Sequence, residues 1–200
     1  MIHQQDRIHG LTKEVLGEQY IHLEVIDCRL HEDYRGEDTL VACRFKEDDG
    51  ETTIEGRGVG LIDAFFNGLL ARLSEEYPSL KTVSIDKFTV DAKISSGRHS
   101  SMADSLAVVT VGIRNSNDDH FEFEHESRSV TRSSIQATLQ AAEYFMNSER
   151  AFIECFRALK SGKEQRRQDL VERYTSLMSE LVKNTSYSEV IEQIREEMQS

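Results

Sequence analysis

One order of elements is written twice in this chain: three extended segments, then a helix, then the same again. In the first copy, residues 20–30 alternate apolar and polar positions. Residues 39–46 form a second extended run with Leu40, Val41, Ala42, Cys43 and Phe45. Glu47-Asp48-Asp49-Gly50 reads as a turn whose glycine supplies positive φ, residues 52–57 as a third strand, and residues 61–76 as a helix ended by Tyr77-Pro78. The second copy starts with a long strand over residues 81–94, carrying Val83, Ile85, Val90 and Ala92, and a polar Ser/Gly-rich loop over residues 95–101. Residues 105–114 are strongly β (Leu106, Val108, Val109, Val111, Ile113), residues 115–119 turn, and residues 120–127 alternate with Phe121 and Phe123 on one face. Thr131 is then expected to cap a helix through Ile135, Ala137, Leu139, Ala141, Ala142 and Phe145. Two βββα units predict a pseudo-symmetric α+β domain, with helices on one face of antiparallel sheet. Each unit alone is too small for a good core, so the two must pair, or four must pair across a dimer.

The expected divisions are an N-terminal arm (residues 1–18), a domain over 19–160 (first repeat 19–78, second 79–160) and a helical tail over 161–200. Ala151, Phe152, Cys155, Phe156 and Leu159 carry the second helix onward to a break expected at Ser161-Gly162. Beyond it Leu170, Tyr174, Leu177 and Leu181 recur at helical spacing, broadened by Val171, Met178 and Val182, and a short helix with Val190, Ile191, Ile194 and Met198 closes the chain. That stripe suits either a hairpin folded back on its own domain or a docking surface for a partner.

Several function classes are disfavoured by composition. The net charge of −12 argues against nucleic acid or anionic membrane as the main partner. No apolar run approaches the ~20 residues of a membrane span, and residues 1–10 lack the apolar core of a signal peptide, so a cytoplasmic address is expected. Three cysteines (Cys28, Cys43, Cys155) without CxxC spacing suggest reduced, mostly buried thiols.

The segment most suggestive of binding is Gly56-Arg57-Gly58-Val59-Gly60, which closes the third strand just before the first helix. Such a turn permits close backbone approach and aims helix N-terminal amides at an anion. It is no P-loop, having no Lys-Ser/Thr pair, and it lacks the spacing and parallel context of a dinucleotide fold. His22 with Glu24, and His120 with Glu122 and Glu124, look like the solvated face of a strand, not a metal set. His125 falls on the apolar parity. Ser127, Ser129, Ser133 and Ser134 have no nucleophile elbow. Neither a catalytic residue, a metal nor a cofactor is expected.

On these residues the chain resembles the C-terminal regulatory domain of the α-isopropylmalate synthase and citramalate synthase family. Gly58-Val59-Gly60-Leu61-Ile62-Asp63-Ala64 is similar to the family's G-N-G-P-[VL]-D-A turn, and Lys87-Phe88-Thr89-Val90-Asp91-Ala92 to its D-Y-x-V-x-A strand. Ala103-Asp104 resembles its second-repeat strand entry. The run from Val130 to Ala141 resembles its V-S-x-N-I-I-E-A-S-x-Q-A helix.

The resemblance covers about residues 19–147 and implies a dimer that binds leucine or isoleucine and regulates a separate catalytic domain. It implies a non-catalytic sensor or dimerisation module whose pocket uses Gly58, Val59, Gly60, Ile62, Asp63 and Phe66, with Phe88, Val90 and Ala92 from the next strand. Val59 and Leu61 replace the family's Asn and Pro, and Ser129 stands where the second repeat often has Gly. The alternative is a structural adaptor with a degenerate pocket that captures a partner through Leu170, Tyr174, Leu177 and Leu181.

Overall fold

The computed structural model describes residues 2–36, 38–47, 50–93, 106–184, 187 and 190–192. The Ser/Gly-rich loop, Ala103-Asp104, the middle of the first hairpin turn, Ile194 and Met198 lie outside them. Alternating apolar residues form six strands in two antiparallel sheets. The first holds β1 (Glu24–Asp33), β2 (Asp38–Glu47) and β3 (Gly50–Gly58), and the second β4 (Ser84–Lys93), β5 (Leu106–Arg114) and β6 (His120–Ser127), each in chain order. A register shift falls between Val25 and Asp27 in β1 and between Ile85 and Lys87 in β4. Matching bulges near the start of each repeat's first strand are a backbone signature of the internal symmetry.

The first βββ unit is followed by α2 (Leu61–Leu73) and the second by α3 (Val130–Glu164); α1 (Ile2–Leu16) precedes the sheets and α4 (Gln168–Leu181) follows α3. α2 packs on β3 and β2, and α3 packs on β5 and β6. The first strand of each repeat has the neighbouring strand as its principal contact and receives no comparable helix cover. Leu30 lies opposite the buried Val41, Phe88 opposite Val111 and Val90 opposite Val109, so all three face the helix side of their sheets. They nonetheless stay 41%, 46% and 45% exposed, and Ile26 in the β1 bulge 42%.

The helix α3 is the central beam, about 52 Å long at 1.5 Å per residue, and every residue from 141 to 149 in it is buried. Its sequence cap is displaced from the expectation: Ser129, not Thr131, is the N-cap, its hydroxyl accepting from the Arg132 amide at 3.2 Å. The expected break at Ser161-Gly162 is absent as well. The helix runs on to Glu164, and the chain reverses at Arg166, whose φ is +57°. Gly162 is instead a buried contact point, where an added Cβ would lie 3.2 Å from Leu170 Cβ on α4. α4 folds back on α3 and reaches α1 through Arg173–Glu14 (3.2 Å) and Arg7–Glu180 (3.5 Å). Residues 1–18 therefore contain a packed helix, α1, whose Ile8 is in the core.

The cysteines also differ from expectation. Cys28 and Cys43 stand directly opposite each other on β1 and β2 and form a disulfide, which leaves Cys155 as the buried free thiol. Spacing along the chain carries no information about cross-strand register, which decides this pairing.

Polar groups in α3 anchor the other elements. The Asn147 side chain accepts from the Ile21 amide (2.7 Å) and donates to the Ile21 carbonyl (2.9 Å). Glu143 accepts from the Leu23 amide (2.6 Å), and Glu149 from the Ser79 amide (2.8 Å). Burial raises the Glu143 carboxyl above its usual range against the pull of Leu23 and His22. Burial likewise pushes Tyr20 up to about 12 and raises Tyr77, Tyr144 and Tyr187 further above the ordinary value of 10. A tyrosine raised in this way favours the fold fully below its unfolded pKa, and that contribution is lost as pH rises through the folded value. In an alkaline titration, these four phenols are expected to ionise only together with loss of tertiary structure. Phenolate absorbance and near-ultraviolet circular dichroism recorded on the same samples would check this; ionisation of these four phenols before any loss of tertiary structure would contradict it.

Candidate functional site

The β3–α2 turn is built from glycines that do two different jobs. A Cβ on Gly56 would overlap the Ala64 carbonyl oxygen and sit 2.6 Å from the Gly68 amide nitrogen; one on Gly58 would sit 2.5 Å from the Ala64 amide. On the facing helix, a Cβ on Gly68 would lie 2.7 Å from Ile54 Cγ2. These three residues let β3 and α2 touch backbone to backbone. Gly60 is different: it is the N-cap of α2, has extended φ of −157°, and a Cβ there would meet nothing within 4 Å. Its side-chain face is open space.

The first turn of α2 has no side-chain cap from Gly60, and its first intrahelical bond is Ala64 N–H to Gly60 O at 2.9 Å. The amides ahead of Ala64 have no partner inside the helix. Asp63 reaches back from the third helical position, and its Oδ2 accepts from the Val59 amide at 3.0 Å. Asn67 donates to the Arg57 carbonyl at 3.0 Å. An internal carboxylate thus already occupies part of the favourable field at this helix end, with its Oδ1 outside that bond. Val59 projects outward, 82% exposed, while Ile62 is half-buried and Phe66 is buried.

Within one chain the nine residues of the expected pocket fall into two sets. Gly58, Val59, Gly60, Ile62, Asp63 and Phe66 share the β3–α2 turn. Phe88, Val90 and Ala92 are exposed on β4, in the other sheet, whose principal neighbour is β5. The third set, Leu170, Tyr174, Leu177 and Leu181, lies on α4, which packs on α3; Leu181 is fully buried, and Tyr174 and Leu177 pack against the core. A partner at that stripe would have to displace α3.

The equivalent turn of the second repeat is polar. Ser127 and Ser133 lie Oγ to Oγ at 2.9 Å, Ser133 donates to the Ala107 carbonyl at 3.2 Å, and His125 Nδ1 is 3.4 Å from Ser133 Oγ. Hydroxyls here bridge strand and helix where glycines do so in the first repeat. Among the described residues there is no group of three or more His, Cys, Asp or Glu placed to hold a metal ion. The uncovered residues Ile26 and Leu30 on β1 were not singled out from sequence. Their alternation was visible, but which strands a helix leaves bare was not.

A family model for the LeuA allosteric (dimerisation) domain matches residues 3–146. The chain belongs to that family. No curated protein matches it in sequence. The match begins inside α1 and ends within α3, so all six strands, α2 and the first part of α3 of this LeuA-type domain fall inside it, and α4 lies beyond. The LeuA-type domain resembles a non-catalytic regulatory module.

Proposed function

We propose that this chain is a ligand-sensing regulatory module that works as a homodimer, with a second copy covering the bare apolar strips of β1 and β4. The observation that carries the reading is the repetition of the defect. Leu30 in one repeat, and Phe88 and Val90 in the other, are apolar, helix-side and uncovered, and Ile26 in the β1 bulge is exposed as well. Contiguous apolar surface of this kind marks an interface, and a two-fold axis lets one patch serve both copies. The ligand that fits is a branched-chain amino acid, leucine or isoleucine. Its carboxylate suits the open N-terminus of α2 beside Gly60, its ammonium the free Oδ1 of Asp63, and its side chain Ile62 and Phe66. Phe88, Val90 and Ala92 would complete the apolar wall from the partner copy. Binding that favours one dimer arrangement would shift its population and so report to a catalytic partner.

A second reading is a dimeric adaptor with a degenerate pocket. It is favoured by the bond from Val59 N–H to Asp63, which occupies the carboxylate proposed for the ammonium. Sedimentation equilibrium combined with thermal melting in leucine, isoleucine and a panel of 2-oxo and hydroxy acids separates the two. A dimer whose melting temperature rises with leucine or isoleucine, and no longer does so after Asp63→Ala, supports sensing. A dimer indifferent to the whole panel supports the adaptor. A monomer at every concentration overturns both.

A further inference from the structure

The bulges in the first strand of each repeat align the two repeats residue by residue. The register shifts between Val25 and Asp27 in β1 and between Ile85 and Lys87 in β4. Counted from there, Cys28 takes the place of Phe88, and Leu30 that of Val90. Across the ladder Cys28 faces Cys43, and Phe88 faces Val111. The second repeat thus fills with an apolar pair the place where the first carries the Cys28–Cys43 disulfide. Ordinary apolar side chains meet the packing need there, so packing does not account for a bond between two sulfurs.

The two cysteines differ in access. Cys43 is fully buried, in line with Val41 and Phe45 on the helix side of β2. Cys28 is half-buried on β1, on the same face as the exposed Leu30 of the bare strip. A thiolate arriving from solvent meets Cys28 first. Cys155 does not compete: it is buried on α3, and burial pushes its thiol up to about 11, which leaves almost no thiolate at neutral pH.

Breaking the bond would be felt in β1. That strand is at a sheet edge, with β2 as its principal contact and no comparable helix cover. Beside the backbone ladder, Arg44 pairs with Asp27, and Lys46 lies 3.9 Å from Glu24; both pairs are exposed and so hold the strand weakly. The disulfide is the covalent tie between the two strands, at a sequence separation of 15. Without it, such an edge strand can open locally while the rest of the domain stays folded.

We propose that Cys28–Cys43 is a reversible thiol-exchange site whose redox state sets how firmly β1 presents its part of the dimer strip. A small thiol of the glutathione class attacks Cys28 Sγ as its thiolate. The S–S bond breaks, Cys43 leaves as a thiolate and takes up a proton, and a mixed disulfide remains on Cys28. A second small thiolate attacks the small-molecule sulfur of that mixed disulfide and releases Cys28. In sum, two small thiols are oxidised to a disulfide and the protein disulfide is reduced to two thiols. The exchange stands on the single chain, whereas its effect on assembly rests on the homodimer proposed above. A second copy on the strip would cover Cys28, so by reciprocity the dimer resists reduction as much as reduction weakens the dimer.

Equilibrating the folded protein in glutathione buffers of rising reduced fraction tests this, with samples quenched in acid, unfolded, labelled with maleimide and weighed intact. One label in the oxidised protein, on Cys155, and three in the reduced protein are expected, reversibly. Cys43→Ala should take up one glutathione from the oxidised buffer, and Cys28→Ala none. Reduction should speed amide exchange in β1 at least about tenfold, with α2 and α3 little changed, and weaken the dimer in sedimentation equilibrium about tenfold. A bond that persists in excess reduced glutathione, or equal uptake by the two variants, overturns the exchange site. Unchanged amide exchange in β1, or a dimer of equal affinity in both states, overturns its control of the strip. A monomer in both states overturns the homodimer and the effect on assembly together, while the label count and β1 exchange still decide the site.

Discussion

Replacing Gly56 by alanine is expected to destabilise the domain by about 3 kcal/mol or more, the upper end for inserting atoms into a packed site. The new methyl would overlap the Ala64 carbonyl oxygen and crowd the amide of Gly68 at 2.6 Å. Both obstacles are backbone, so no rotamer change relieves them, and α2 must lift off β3. That helix buries Phe65 and Leu69 in the common core, and Phe65 stacks on Phe45 of β2 at 6.1 Å between ring centroids. Lifting it would therefore also cost contacts in the first sheet. Gly60→Ala is the matched control: its Cβ would enter open space with an extended φ, and its stability should stay within about 0.5 kcal/mol of the parent. Urea denaturation of the two variants reads the difference directly. A Gly56→Ala protein as stable as the parent would mean that α2 does not sit on β3 in this register.

That contrast bears on how much of the domain the sequence made legible. The alternation in β2, β5 and β6 and the apolar face of α2 are local periodic signals, and they gave the two βββα units in the right order. The glycine turn was located correctly, but three of its four close glycines (Gly56, Gly58 and Gly68) serve strand–helix packing, and Gly60 alone leaves open space. A sequence shows that a glycine is present, not which neighbour approaches it. The same limit applies to Ser161-Gly162, which resembles a helix break in isolation but is held helical by α4 packing on Gly162. The Cys28–Cys43 pair and the bare strips of β1 and β4 depend on register and on which strands a helix covers. Both are non-local properties that propensity does not encode.

Phe88→Glu is expected to convert the proposed dimer into a stable, folded monomer. In the single chain, Phe88 is 46% exposed at the β4 strip, so a carboxylate there reaches water and should change the stability of the isolated fold by only about 0.5 kcal/mol. In a dimer that covers the strip, the same carboxylate is desolvated against apolar residues, with no cation supplied by Val90 or Ile26. An uncompensated buried charge costs several kcal/mol, and about 4 kcal/mol corresponds to roughly a thousandfold weaker association. Phe88→Leu keeps the surface apolar and should keep the dimer. The sharper control is Leu40→Glu. Leu40 is equally exposed at 46%, but it lies opposite His31 and Arg57, on the sheet face away from the buried Val41. A patch defined by exposure alone predicts that both glutamates break the dimer, whereas the helix-side strip predicts that only Phe88→Glu does. Sedimentation equilibrium on the three variants, with circular dichroism to confirm folding, decides between them. A Phe88→Glu protein that stays dimeric would place the interface elsewhere and remove β4 from the proposed ligand pocket; a monomeric one should also lose any rise in melting temperature with leucine, because the proposed pocket takes Phe88, Val90 and Ala92 from the partner copy.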